Sequence, residues 1–164
     1  MNRETIKVEF DNRQYEFYTK PTILEEQKIR NSAAEFTGGG IEKLVELESL
    51  RNLHLDKCLK RDEDGKVIKG EGEDSVKVDV NGHDFKLYAE YQRILDNAYF
   101  YGVLKTSLVC GPDGFDAGNL EGIKFYGLKS AFEDALDSFR ERGRSAQAGK
   151  SSEGNPQFAE PPSE

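Results

Sequence analysis

The 164-residue chain has no tryptophan, one methionine, two cysteines and two histidines. Each scarcity closes off a class of function. Cys58 and Cys110, alone in a chain of this length, cannot build a disulfide framework. The start MNRETIKVEF is strand-like and lacks the apolar stretch of a signal peptide. Both thiols are therefore expected to be reduced and buried, in a cytosolic setting. His54 and His83 have no second ligand at metal spacing, and no CxxC accompanies them, so no metal or cofactor is expected. No run of ~18 apolar residues exists to span a bilayer, so no membrane association is expected. Acidic residues outnumber Lys and Arg by 31 to 23, for a net charge of −8. That balance works against gripping a nucleic-acid backbone, which needs clustered cations. The densest basic run, Arg140–Arg144, reads as cations at a helix C-terminus.

Motif tests exclude more. Gly70-Glu71-Gly72 would need its third glycine at Ser75 to bind a dinucleotide. A calcium loop starting at Asp62 places Lys66 and Val67 where an oxygen ligand and a glycine belong, and one starting at Asp113 places Phe115 and Ala117 at ligand positions. Cys58 reads as a buried thiol, His54 as a half-buried or surface helix residue, and His83 as a solvated turn residue. No carboxylate pair is marked out for acid–base work. No catalytic residue is assigned.

What is present is hydrophobic patterning. Ile6, Val8 and Phe10 alternate with polar residues, Asp11-Asn12 supplies a turn, and Tyr15 and Phe17 resume the alternation. Thr22 and Glu25 fit a capping box that starts a helix running to about Phe36, with Leu24, Ile29, Ala33 and Phe36 facing inward. After Gly38-Gly39-Gly40 a second helix spans about 41–60. Its leucines cover more than one seam, so it is expected to pack against two neighbours. Residues 61–75 form a charged connection in which Val67 and Ile68 make a short strand. Residues 76–88, VKVDVNGHDFKLY, align without a gap on residues 6–18, IKVEFDNRQYEFY, and Asn81-Gly82 is a strong hairpin signal. A helix is expected from Tyr88 to about Leu108, apolar on nearly all sides over 98–109. Asn119 is a plausible N-cap for a last helix striped with Phe125, Leu128, Phe132, Leu136 and Phe139.

The expected fold is therefore α+β: two β-hairpins, each followed by two helices, in one domain over 1–142. Halves at 1–62 and 74–142 read either as an internal ββαα duplication or as two ordinary hairpins that share an alternation. From Gly143 the chain reads GRSAQAGKSSEGNPQFAEPPSE, too poor in apolar residues to offset its ordering entropy, so 143–164 is expected to be a disordered tail. Its one aromatic, Phe158, is either a solvated side chain or a short docking anchor. Tyr99, Phe100 and Tyr101 are consecutive on a helix and point about 100° apart, so one core cannot cover all three. With Tyr126 they are the candidate partner-binding residues.

The run VEFDNRQYEFYTKPTILEE resembles the start of bacteriophage tail assembly chaperones: two short strands, a Pro21-Thr22 helix entry, then Glu25-Glu26 in the first turn. LVCGPDGFDAGNLEG followed by an amphipathic helix is also similar to phage tail proteins. The resemblance implies a non-enzymatic protein in the host cytoplasm that binds tape-measure or tail-tube subunits through apolar helical faces. Alternatives are a virion structural adaptor, another phage-encoded interaction module such as a host-defence inhibitor, or a small enzyme whose site forms only on folding. Deleting residues 145–164 is expected to leave the thermal midpoint within a few degrees of the full chain's; a larger drop would mean that the segment carries core contacts.

Overall fold

Thr5–Phe10 (β1) and Arg13–Tyr18 (β2) pair antiparallel, from Thr5↔Tyr18 to Phe10↔Arg13. Asp11 and Asn12 make the two-residue turn with φ of 52° and 56°. Positive φ at both positions is what a type I′ turn requires, and Asp and Asn tolerate it better than most residues. Ile6, Val8, Tyr15 and Phe17 are all buried, because alternate strand residues project to one face. In this computed structural model, which describes residues 2–152, six further elements follow. They are helices Ile23–Phe36 (α1), Gly40–Cys58 (α2) and His83–Thr106 (α3), strand Leu108–Cys110 (β3), a 3₁₀ turn at Ala117–Asn119, and helix Gly122–Ser152 (α4). The α+β class expected from the patterning is what forms.

The chain divides into two compact units. One is continuous, Pro21–Leu108, and holds α1, α2 and α3. The other is built from the chain up to Lys20 and from Val109 onward. The division therefore does not follow the halves 1–62 and 74–142.

In the helical unit, α1 starts at the expected capping box. Thr22 Oγ1 accepts from Glu25 N (3.3 Å), and Thr22 N donates to Glu25 Oε2 (2.8 Å). Each of these bonds satisfies an otherwise orphaned N–H at the helix start. The core joins Ala33, Ala34, Leu44, Leu47, Leu95 and Ala98. Small residues let α1 and α3 approach closely. A Cβ built on Gly102 of α3 would lie 2.4 Å from the Ile29 carbonyl oxygen of α1.

In the other unit, the sheet has the order β1-β2-β3. α4 covers the buried face of the hairpin, with Phe132 edge-on to Phe17 at 4.9 Å. Gly127 of α4 lies so close to Phe10 that a Cβ there would meet its ring at 2.5 Å. Phe125 and Leu128 are buried, and Phe132, Leu136 and Phe139 are half-buried, so the predicted stripe is the packed face.

Several expectations are corrected. The second hairpin does not form. Val76 and Val78 are extended, but their bridges go to Lys69 and Leu59, and residues 83–88 open α3. Phe85, Tyr88, Tyr91 and Leu95 recur at helical spacing as well as fitting a strand start, an ambiguity that short apolar runs carry. A duplication of hairpin-plus-helix is therefore absent from 76–88, and His83 is the exposed first residue of α3 rather than a turn residue. Val67 does bridge, to Arg61. Leu24 and Phe36 are exposed: Leu24 points away from the side that buries Ile29, Ser32 and Ala33, and Phe36 shares that side but is the last residue of the helix, where its ring lies 5.2 Å from Tyr101. Cys58 is buried but Cys110, on the short β3, is exposed. Asn119 lies in the 3₁₀ turn, which Asp116 caps, and α4 begins after it. α4 runs past Gly143 to Ser152, so Arg140–Arg144 lie inside a helix rather than at its end; 153–164, the rest of the expected tail, lie outside the described residues.

Gly102→Ala gains up to about 1 kcal/mol of helix propensity, but the new methyl meets a backbone carbonyl that cannot yield. Overpacking of about 1–3 kcal/mol should win, so urea unfolding is expected to show a net loss; a stabilised variant would disprove the close approach.

Candidate functional site

Each helix of the continuous unit contributes one residue to a polar node. Arg30 of α1 donates from Nη1 and Nη2 to Oε1 and Oε2 of Glu48 on α2, at 2.7 and 3.0 Å. Its Nη1 also donates to the Tyr99 hydroxyl of α3 at 2.7 Å, and that hydroxyl donates in turn to Glu48 Oε1. The planar guanidinium matches the carboxylate fork, which orients both side chains. The Arg30 hydrogen bond holds the Glu48 carboxyl below its usual range. Burial, with the neighbouring Glu48 carboxylate, pushes the Tyr99 phenol up to about 12. The node ties three helices together; all three partners are spoken for by one another.

A second node joins α2 to the first turn of α3. His54 Nδ1 lies 2.9 Å from Asp84 Oδ1, and the imidazole stacks on Tyr91 at 5.8 Å with an 11° interplanar angle. One turn on, the Cys58 Sγ donates to the Leu55 carbonyl at 3.2 Å, and burial pushes the thiol pKa up. A neutral thiol held this way is a poor nucleophile.

The sequence-predicted residues do not form one patch. Phe100 is buried in the helical core, and Tyr99 is committed to Arg30 and Glu48. Tyr101 is half-buried, with its ring 5.2 Å from Phe36 and the Lys105 Nζ 5.4 Å above it. Tyr126 belongs to the other unit and is 54% exposed.

Sequence reasoning missed another surface. Ile41, Val45 and Leu53 of α2 are 44, 44 and 47% exposed. At 100° per residue they fall within about 120° of one another, in an arc that also carries the exposed Glu42, Ser49, Asn52 and Asp56, and the buried Leu44, Leu47 and Cys58 centre about 150° away. α2 thus has a core face and an outward side on which three apolar side chains stand among polar and acidic ones. The signal was the surplus of apolar residues around this helix, but sequence alone could not say which of them the fold would leave uncovered. Among the described residues, no three His, Cys, Asp or Glu side chains are placed to hold a metal ion, and no helix is long and apolar enough to cross a membrane.

Comparison of the chain with family models, with curated proteins and with solved structures gave no match.

Alkaline titration tests the node. With the phenol raised to about 12 in the fold against ~10 in the unfolded chain, the unfolded state loses its proton first, so stability should fall as pH rises from about 10 to about 12. Tyr99→Phe should remove that component of the slope, measured by urea unfolding at several pH values; an unchanged slope would mean that the hydroxyl is not held by Glu48.

Proposed function

We propose that the protein is a non-enzymatic assembly chaperone that binds a tape-measure or tail-tube subunit during phage tail assembly. The observation that carries this reading is the outward side of α2, where the exposed Ile41, Val45 and Leu53 share one arc with Glu42, Ser49, Asn52 and Asp56. Single exposed apolar residues are ordinary, but three on one side of a helix whose opposite face already fills the core suit an amphipathic helical partner laid alongside. Such a side would offer apolar anchors to segments of an unassembled subunit, which is what a tail chaperone has to do. The strand–turn–strand start followed by Pro21-Thr22 and Glu25-Glu26 supports the same reading through its resemblance to that family. The rigid polar node supports it physically, because a pre-set face costs less to dock than one ordered on binding.

The test is co-expression with a phage tape-measure or tail-tube subunit, followed by co-purification and titration. Val45→Asp and Leu53→Asp are expected to weaken binding by tenfold or more, about 1.4 kcal/mol, while each monomer's stability stays within about 0.5 kcal/mol because neither site is buried. Full-strength binding by both variants would rule out this face. Recovery of the protein from purified virions in fixed copy number would make it a structural adaptor instead.

A further inference from the structure

We propose that the free edge of β1, together with the α4 side chains beside it, takes up an extended acidic segment of a partner protein by strand addition. The surface lies in the unit that the α2 reading does not use, so it goes beyond that reading. The edge follows from the hairpin register. Phe10 and Arg13 flank a two-residue turn, so they form a hydrogen-bonded pair, and such pairs recur at every second residue. Val8 and Ile6 are the next, and Thr19 N donates to Glu4 O at 3.1 Å to continue the series. Thr5, Lys7 and Glu9 consequently turn their N–H and C=O groups away from β2. In the order β1-β2-β3, no described strand meets them there. An unpaired edge of this kind is a template for strand addition.

The helix above the strand leaves room for an added one. At the turn end of β1, α4 lies close, with Gly127 against the Phe10 ring. At the start of β1 an open groove of about 770 Å³ is lined by residues 4–7 and by α4 side chains that include Ala135, Phe139 and Arg142. A small molecule is held by a pocket that encloses most of its surface. A groove with one strand edge and one helix for walls suits extended chain instead. Such a strand bonds to the main chain of Thr5 and Lys7. Its side chains on the side of Ile6 meet the apolar Ala135 and Phe139, because neighbouring strands keep alternate residues on one face.

Charge selects the occupant. Lys7 and Arg142 are both exposed, in a chain where acids outnumber Lys and Arg by 31 to 23. Among the described residues neither makes an ion pair. Arg142 donates from Nε to the Ser138 carbonyl at 3.3 Å, which leaves its two Nη groups for a carboxylate. Glu4 lies in the same lining, set against these two cations. The side chain of Lys7 points to the face opposite Ile6 and Val8, so an acidic residue across from it makes an opposite-charge cross-strand pair. The fitting segment therefore alternates, with small apolar residues toward α4 and acidic residues on the other face.

The test is amide hydrogen exchange by NMR on the full chain, with the peptide acetyl-SEVEVES-amide as probe. At saturation the Lys7 N–H, which β2 does not use, is expected to exchange about tenfold or more slowly than without peptide. Arg142→Glu and Lys7→Glu, both at exposed positions, should each weaken peptide binding about tenfold or more while the spectrum keeps its folded dispersion. Val45→Asp should bind the peptide at parent strength, because α2 belongs to the other unit. Failure of the α2 reading would therefore leave this result standing. Unchanged Lys7 exchange on adding the peptide would overturn the proposal, as would equal binding of acetyl-SKVKVKS-amide. Lys7 protection that needs no peptide and grows with protein concentration would also overturn it, by assigning the edge to a second copy.

Discussion

The helical unit depends on one close approach, that of α3 to the backbone of α1 at Gly102 and Ile29. With any side chain at 102 the two helices would stand further apart. At their actual separation Ala33 and Ala98 are fully covered and Leu44 and Leu95 fill the space that remains. The same approach brings Tyr99, one turn before Gly102, to Arg30, the residue after Ile29. Tight apolar contact and the polar node are therefore two readings of one geometry. The glycine permits the distance, and the guanidinium and carboxylate select the rotation of each helix about its axis, because a bidentate pair tolerates little angular error.

Polar groups throughout the described residues follow the same logic. No side-chain nitrogen or oxygen that is buried there lacks a hydrogen-bond partner, as burial without one costs about 1–3 kcal/mol. Glu48, half-buried, accepts from Arg30 and Tyr99; His54, beside a ring, has Asp84. Buried and half-buried polar side chains thus settle into structural pairs, while the exposed surface is largely charged. The exposed apolar side chains on the outward side of α2 stand out against that background.

Elements governed by near neighbours were legible in the sequence. The capping box at Thr22 involves residues three apart, so its chemistry is written in the sequence itself. The first hairpin needed only alternation and a tolerant Asp-Asn turn, and the α4 stripe needed only its spacing of three and four. These local rules gave the α+β class and the packed face of α4 without reference to any distant residue.

What tertiary structure decided was every choice that local rules left balanced. Val76 to Tyr88 could be read with period two or period 3.6. The helix gained from His83 pairs Asp84 with His54 and seats Tyr91 against its ring, contacts to a helix some thirty residues earlier. The roles of Tyr99, Phe100 and Tyr101 were equally hidden, since three adjacent aromatics differ only in which neighbours the fold places beside them. Tyr99 meets Glu48, 51 positions away, and no pattern within a helix encodes that. The outward face of α2 belongs to the same class. Sequence by itself determined that this helix carries more apolar surface than one core can use; only the packing of α1 and α3 against it decided which side was left open, because burial belongs to the partner surface as much as to the residue.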